Sequence, residues 1–349
     1  MRAALTRCHA MQEKKAVEPK KIERVLVTGN AGMLGQALVK KLLKDKSLRV
    51  IGVDRRPLSP IPAGLEHYAL DLRRKSALQV LYKIKPESII HMGIVRNPQV
   101  LRSRRADAHF FNLESMTQLL RLAENVPLRK FVFLSTANLY GPSANTAGIL
   151  DEDTPLHGAN KHPEFRDLVA LDMMVQSFFW KQPNTQTIIL RPCHIVGPRL
   201  KNAPSRYLLL DTIPSILGFD PITQLIHEND LIDAISLSLR SNVRGIFNIA
   251  GSDVAPLSRI IAALERPSWP VPERMLKAFT AGTFFSRRGN FPAGELDYLK
   301  YSCVIDDRRA QKELGFKPKV SLLKIIEELK IAYEKKKQLT NSPIKTAGI

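Results

Sequence analysis

The chain has 349 residues, 44% of them hydrophobic and 25% charged, proportions that suit a globular protein of about two lobes with a large core. Its most apolar stretch, Tyr207 to Ile226, is broken by Asp211, Pro214, Asp220 and Pro221, which argues against a membrane span. The formal charge of +20 favours phosphate-rich ligands, but the excess is spread over tails and loops, with no basic helix interleaved with aromatics, which disfavours a nucleic-acid face.

Residues 1–21 are polar and unpatterned, and a disordered basic arm is expected there. The first ten residues carry arginine and no acid, a faint transit-peptide pattern, but are too short and lack an apolar segment for secretion, and the three distant cysteines make a reducing cytoplasm the expected location. From residue 22, short β-branched runs alternate with longer helical patterns. Strands are predicted at Arg24–Thr28, Arg49–Asp54, Ser88–Met92, Lys130–Ser135 and Thr187–Arg191. Helices are predicted at Met33–Lys44, Ala77–Ile84, Asn112–Glu124 and Phe165–Trp180. The alternation implies an α/β fold, a Rossmann-type doubly wound parallel sheet. After Arg191 the pattern loosens and proline rises, so a smaller, mainly C-terminal substrate lobe is expected over 194–335. It interleaves with a first lobe of 22–193 that the chain rejoins at about 222–250, returning to the sheet around Leu225 to Leu239. Ser321 to Lys336 reads as a final amphipathic helix and 336–349 as a tail. Cys8, Cys193 and Cys303 are too few and too far apart for a disulfide framework or a metal site.

The segment from Val25 to Gly35 places Gly29, Gly32 and Gly35 between a buried strand and a helix. Free N–H groups and the positive dipole end of such a helix attract a pyrophosphate, and glycines let it approach the backbone. The second strand ends at Asp54, about the distance at which a carboxylate accepts bonds from the adenosine ribose. Asp54 points to NAD, because a carboxylate repels a ribose 2′-phosphate, while Arg55 or Arg56 leaves NADP open. Asp71 and Leu72, after the third strand, are candidates for the adenine, with a helix N-cap as the other reading of Asp71.

These residues resemble the extended short-chain dehydrogenase/reductase superfamily, and within it the NAD-dependent epimerase/dehydratase family, from about residue 22 to 335. The likeness rests on Thr28 to Gly35, His91 to Val95, Asn112, Phe131 to Gly141, Asp151 to Pro155, Leu190 to Pro198, Leu225 to Asp230, Gly245 to Ala250 and Leu314 to Pro318. It implies dinucleotide contacts from Gly29, Gly32, Met33, Leu34, Gly35, Asp54, Arg55, Asp71, Leu72, Met92, Gly93, Asn112 and Pro192. It also implies a small-molecule substrate such as a sugar nucleotide, and allows a homodimer.

The family's chemistry uses a hydroxyl, a tyrosine acting as acid or base, and a lysine that lowers the tyrosine's pKa. Thr136 occupies the hydroxyl position. The Tyr and Lys positions hold Glu164 and Leu168 in the register set by Asp172, or Phe165 and Val169 one residue later. No tyrosine occurs between Tyr140 and Tyr207, so a degenerate active site is expected. Glu164 is one candidate substitute base, and His157, His162 and His194 are others. The arginine that grips a substrate diphosphate in sugar-nucleotide epimerases is matched by Thr223 and Gln224, with Arg199, Lys201 or Arg206 as alternative phosphate partners. A non-catalytic NAD(P)-binding sensor or assembly module is the alternative reading.

Overall fold

The computed structural model describes residues 22–95, 105–144, 148–161, 163–281 and 293–341. The arm at 1–21 and residues 342–349 lie outside the described residues. The first half runs β1 (Glu23–Thr28), α1 (Met33–Leu42), β2 (Leu48–Asp54), β3 (Leu65–Ala69), α2 (Lys75–Ile84), β4 (Ser88–His91), α3 (Arg105–Asn125) and β5 (Lys130–Leu134). It continues through β6 (Ile149–Leu150), α4 (Gly158–Lys161), α5 (Pro163–Lys181), β7 (Gln186–Pro192), β8 (His194–Val196) and α6 (Ala203–Leu208). Then follow β9 (Ile213–Ile216), β10 (Ile222–His227), α7 (Glu228–Arg240), β11 (Gly245–Ile249), β12 (Val254–Pro256) and α8 (Leu257–Ala263). The chain closes with β13 (Ser268–Val271), α9 (Glu273–Ala281), β14 (Val304–Ile305) and α10 (Leu322–Asn341).

A seven-stranded parallel sheet in the order β11-β7-β5-β4-β1-β2-β3 forms the centre. Its inner strands are continuous apolar runs, such as Val25 to Val27 and Phe131 to Leu134, because helices cover both faces. One core joins α1 and α7 to the sheet through Leu38, Leu42, Ile235 and Leu239; the other joins α3 and α5 through Met116, Leu119, Leu171 and Val175. A third cluster around Ile213, Ile260 and Ile325 belongs to the smaller C-terminal layer. The strand order reverses between β1 and β4, which opens a crevice at their C-terminal ends, the usual ligand position in such sheets.

Three segments differ from expectation. Helix α3 begins at Arg105 rather than Asn112, because Ala108 and Phe111 extend its buried stripe. The stretch from Leu225 to Leu239 does not add a strand to the main sheet: β10 pairs with β8 and β12 in a three-stranded sheet, α7 packs on the main one, and β11 supplies the edge strand. Its apolar face explains this, since Leu231, Ile235 and Leu239 recur at helical spacing. The last helix continues to Asn341, through Lys335 to Lys337, which are good helix formers anchored by buried Leu329 and Tyr333. Buried Lys130 donates to the carbonyls of Ser238 and Ser241, a cation on the negative end of α7.

Candidate functional site

The turn between β1 and α1 requires its glycines. Gly29 adopts φ +75°, and a Cβ there would lie 2.8 Å from the backbone of Gly93. At Gly35 a Cβ would lie 2.2 Å from the Gly29 carbonyl, so this glycine lets α1 seat on the turn. Gly32 is the N-cap of α1; no side chain caps it and the first turn carries no acid. Helix geometry leaves the N–H groups of Met33 and Leu34 without intrahelical partners, aimed where an anion would sit. Beneath the turn Asn30 is fully buried, with Nδ2 3.0 Å from Nδ1 of His67, a brace that sequence patterning did not single out.

Asp54 ends β2 beside this turn. Its carboxylate accepts from the Ala31 N–H at 3.2 Å, from the Arg56 N–H at 2.9 Å and from the Arg56 guanidinium at 3.1 Å on each oxygen. Burial opposes its ionisation, yet these bonds outweigh that and hold the carboxyl below the usual carboxylate range. The same local pattern recurs at Asp71, which the Arg73 guanidinium holds below its ordinary pKa. Leu72 is buried behind it. Arg55 and Arg73 both lie over the ring of Phe111, at 5.1 and 5.5 Å from its centroid, so two cations crowd the rim of the crevice.

On the other side of the crevice, Met92 and Gly93 each donate to the Thr28 hydroxyl at 3.3 Å. Asn112 of α3 clamps the following loop, accepting from the Val95 N–H at 2.9 Å and donating to its carbonyl at 3.1 Å. His91 sits behind, 2.6 Å from the Thr28 hydroxyl, and burial pushes its pKa down to about 3.

Thr136 follows β5 and N-caps a short 3-10 turn, its hydroxyl accepting from the Asn138 N–H at 3.2 Å. In neither register does α5 bring a tyrosine and lysine to it. Phe165 and Leu168 pack into the second core, and Val169 is half-buried against the same cluster. Glu164 lies in α5, but its side chain is outside the described residues, as is His162; His157 is exposed. Below Thr136 a buried network ties four elements. The Ser135 hydroxyl donates to Asp172 at 2.5 Å, and the Arg191 guanidinium grips the same carboxylate at 2.7 and 3.1 Å. Arg191 also donates to the Tyr140 hydroxyl at 3.1 Å, which donates to Asn248 at 2.7 Å. Burial pushes Tyr140 up to about 12 despite Arg191, which favours its neutral phenol. Pro192, buried, closes β7 at the mouth of the cleft.

The facing wall comes from the C-terminal layer. Asn138 Nδ2 donates to Glu295 at 3.0 Å, and the other Glu295 oxygen is 3.9 Å from His194 Nδ1. The His194 ring meets Tyr298 edge-on at 4.7 Å, and both line a cavity with Tyr207, Thr223 and Leu225. Glu295 and Tyr298 carried no signal in the sequence, since they act only through contacts remote along the chain. Of the alternative phosphate partners, Arg199 is tied to Glu228 and Asn229, each at 2.9 Å, and Gln224 spends both ends of its amide on Ile305. Lys201 and Arg206 are exposed. No helix among the described residues is long and apolar enough to cross a membrane.

Residues 25–250 match the model of the NAD dependent epimerase/dehydratase family. An uncharacterized protein of Mycobacterium tuberculosis is 27% identical over 304 residues, covering 84% of this chain and 80% of its own. A UDP-glucose 4-epimerase of Dictyostelium discoideum is 25% identical over 338 residues, covering 84% and 91%. The solved structure of UDP-glucuronic acid 4-epimerase from Bacillus cereus, in complex with UDP-glucuronic acid and NAD, shares the fold with a TM-score of 0.70 at 20% identity, covering 89% of this chain and 99% of that one.

Proposed function

The chain belongs to the NAD-dependent epimerase/dehydratase family, and from that premise we propose that it binds NAD(H) and acts as an epimerase/dehydratase-like protein with a degenerate acid–base site. The observation that carries this reading is the turn at Gly29, Gly32 and Gly35, whose glycines let α1 seat against the strand ends and leave its uncapped N-terminus facing the crevice, where a pyrophosphate would bind. The pyrophosphate would rest on Gly32, Met33 and Leu34. Asp54 would take the ribose, Arg55, Asp71 and Leu72 would frame the adenine, and Met92, Gly93, Asn112 and Pro192 would line the path to the nicotinamide. Bound there, the nicotinamide supplies hydride exchange with a substrate carbon. Asp54 favours NAD, and Arg55 or Arg56 allows NADP.

Thr136 would bind the reacting oxygen of a substrate. Nucleotide-linked sugars are the class that the relatives' names support. The second reading, a non-catalytic dinucleotide sensor or assembly module, draws on Leu168, whose burial leaves no ammonium at the family's lysine position. The lobes are 22–193 with 222–250, and 194–335. Free thiols at Cys193 and Cys303 suit the cytoplasm, and exposed Met173 and Trp180 on α5 suit a homodimer.

Calorimetric titration with NAD tests the reading. Wild type should bind and Gly32→Val should not; equal affinity of the two proteins overturns it.

A further inference from the structure

Several large apolar side chains are left in water at one end of the smaller layer. Leu217, Phe219, Ile222, Trp269 and Met275, each between 37% and 59% exposed, stand on adjoining elements there. Strands β9 and β13 pair, and the Leu217 N–H carries the pairing on to the Val271 carbonyl at 2.9 Å. Gly218 then turns the chain at φ +84°, and the Phe219 ring meets Tyr301 edge-on at 6.1 Å, with Lys300 Nζ 4.9 Å from its centroid. Lys300 reaches Glu273 at the start of α9, the helix that carries Met275, and the Ile222 N–H donates to the Ser302 hydroxyl at 2.8 Å. We propose that this end of the smaller layer lies on an anionic membrane surface, its apolar side chains entering the boundary between headgroups and acyl chains and its cations resting against lipid phosphates.

Charge selects a bilayer over another protein as the occupant. On α9 and beside it Arg274, Lys277 and Lys300 share a single carboxylate, Glu273, within a chain of formal charge +20. The neighbouring Asp220 is committed elsewhere, accepting from the Ser258 N–H at 2.8 Å and its hydroxyl at 2.6 Å. A cationic surplus around exposed apolar groups is drawn to anionic headgroups, and an indole, apolar in body and polar at its N–H, suits the interface between lipid and water. Lys300 lies along two rings with its ammonium free to reach outward, the habit of a lysine at such a boundary. The chain leaves α9 at Ala281 and is described again from Ala293; the sequence between them has the same character, with Phe284, Phe285 and Phe291 beside Arg287 and Arg288. A face of this kind rests on a membrane without crossing it. The inference stands apart from the dinucleotide reading, because none of these residues belongs to the glycine turn or the crevice.

The test mixes the full chain with vesicles of phosphatidylcholine alone or of phosphatidylcholine with phosphatidylglycerol. Sedimentation should show binding to the mixed vesicles about tenfold tighter than to phosphatidylcholine, and high salt should weaken it. The two tryptophans locate the contact. In Trp180→Phe, brominated lipid should quench Trp269; in Trp269→Phe, it should leave Trp180, on α5, unquenched. The double variant Leu217→Ser, Phe219→Ser should bind both kinds of vesicle about tenfold more weakly with its melting transition kept, and Arg274→Glu should weaken binding to the mixed vesicles alone. Absence of vesicle binding by wild type, equal affinity of wild type and the folded double variant, or quenching of Trp180 in place of Trp269 overturns the proposal. Self-association that the double variant abolishes while vesicle binding persists also overturns it, and assigns the face to a second copy of the chain.

Discussion

Arg56 donates to both carboxylate oxygens of Asp54, at 3.1 Å in each case, so the acid that would receive the adenosine ribose is already gripped by the cation two residues further on. A guanidinium nitrogen of Arg56 would also lie 3.6 Å from a Cβ on Gly32, which sets the arginine over the glycine turn. Any ribose hydroxyl that bonds Asp54 has to displace it.

Two substitutions should therefore act in opposite directions on NAD affinity. Arg56→Ala frees the carboxylate; the pair is exposed on the arginine side, so the gain should be about threefold. Asp54→Ala removes charge-assisted bonds worth about 1.5–3 kcal/mol and should weaken NAD about tenfold or more while narrowing its margin over NADP. Parallel titrations with both dinucleotides measure this, and a wild-type preference for NADP would reverse the assignment to Arg55 or Arg56.

The three glycines should separate into two kinds. Gly32→Val should abolish NAD binding while lowering the melting temperature less than a change at Gly35, because a Cβ there would sit 3.2 Å from the Gly29 carbonyl, a tight contact but a smaller clash. Gly35→Ala, at 2.2 Å from a carbonyl, should instead lower the melting temperature sharply.

Turnover on UDP-glucose, UDP-glucuronic acid or dTDP-glucose should be about 10²–10⁴-fold below that of epimerases with an intact tyrosine and lysine. Chromatography of products after long incubation with NAD checks it. Robust turnover that vanishes in Glu164→Gln would mean that Glu164 had assumed the base role.

Stability should fall on acidification. His91 and His194 stay neutral in the fold, with pKa values pushed down to about 3 and about 4, whereas unfolded histidine takes a proton near 6.5. Between these values the unfolded chain binds more protons, so each histidine costs about 1.4 kcal/mol per pH unit as pH drops below 6.5. Urea midpoints at neutral and mildly acidic pH should show the loss, and His91→Gln should flatten it.

Asp172→Asn should cost about 3–5 kcal/mol, since it leaves the Arg191 guanidinium buried without its counter-charge. Urea denaturation reads the loss; an unchanged midpoint would show that Tyr140 and the Glu152 carbonyl suffice as partners.

Much of the first lobe could be read from short-range signals. The turn at Gly29 to Gly35 and the strand end at Asp54 are local patterns, each set by residues within one strand-helix unit, whereas Asn112 stood out only through the family resemblance and its hold on Val95 came from the structure. Glu295 was not legible, because its meaning comes from Asn138, 157 positions away. Arg56 was visible as a charge, but its grip on Asp54 depends on a turn geometry that residue types alone do not specify. The return to the sheet around Leu225 to Leu239 is made by α7, while β10 before it pairs in the smaller three-stranded sheet, a division that the run of apolar residues did not mark.

The position of β11 bears on how the polypeptide is made. This strand closes one edge of the main sheet by pairing with β7, and it carries Asn248, the acceptor for the Tyr140 hydroxyl. The residues of β8 to β10 and of α7 are all synthesised between the two strands. A nascent chain that has emerged only through β7 thus presents a bare row of backbone amides and carbonyls, with Tyr140 lacking its acceptor, until the ribosome has delivered residue 249. Chaperone occupancy should be greatest over that interval, and a chain stopped before Gly245 should aggregate rather than persist as an independent half.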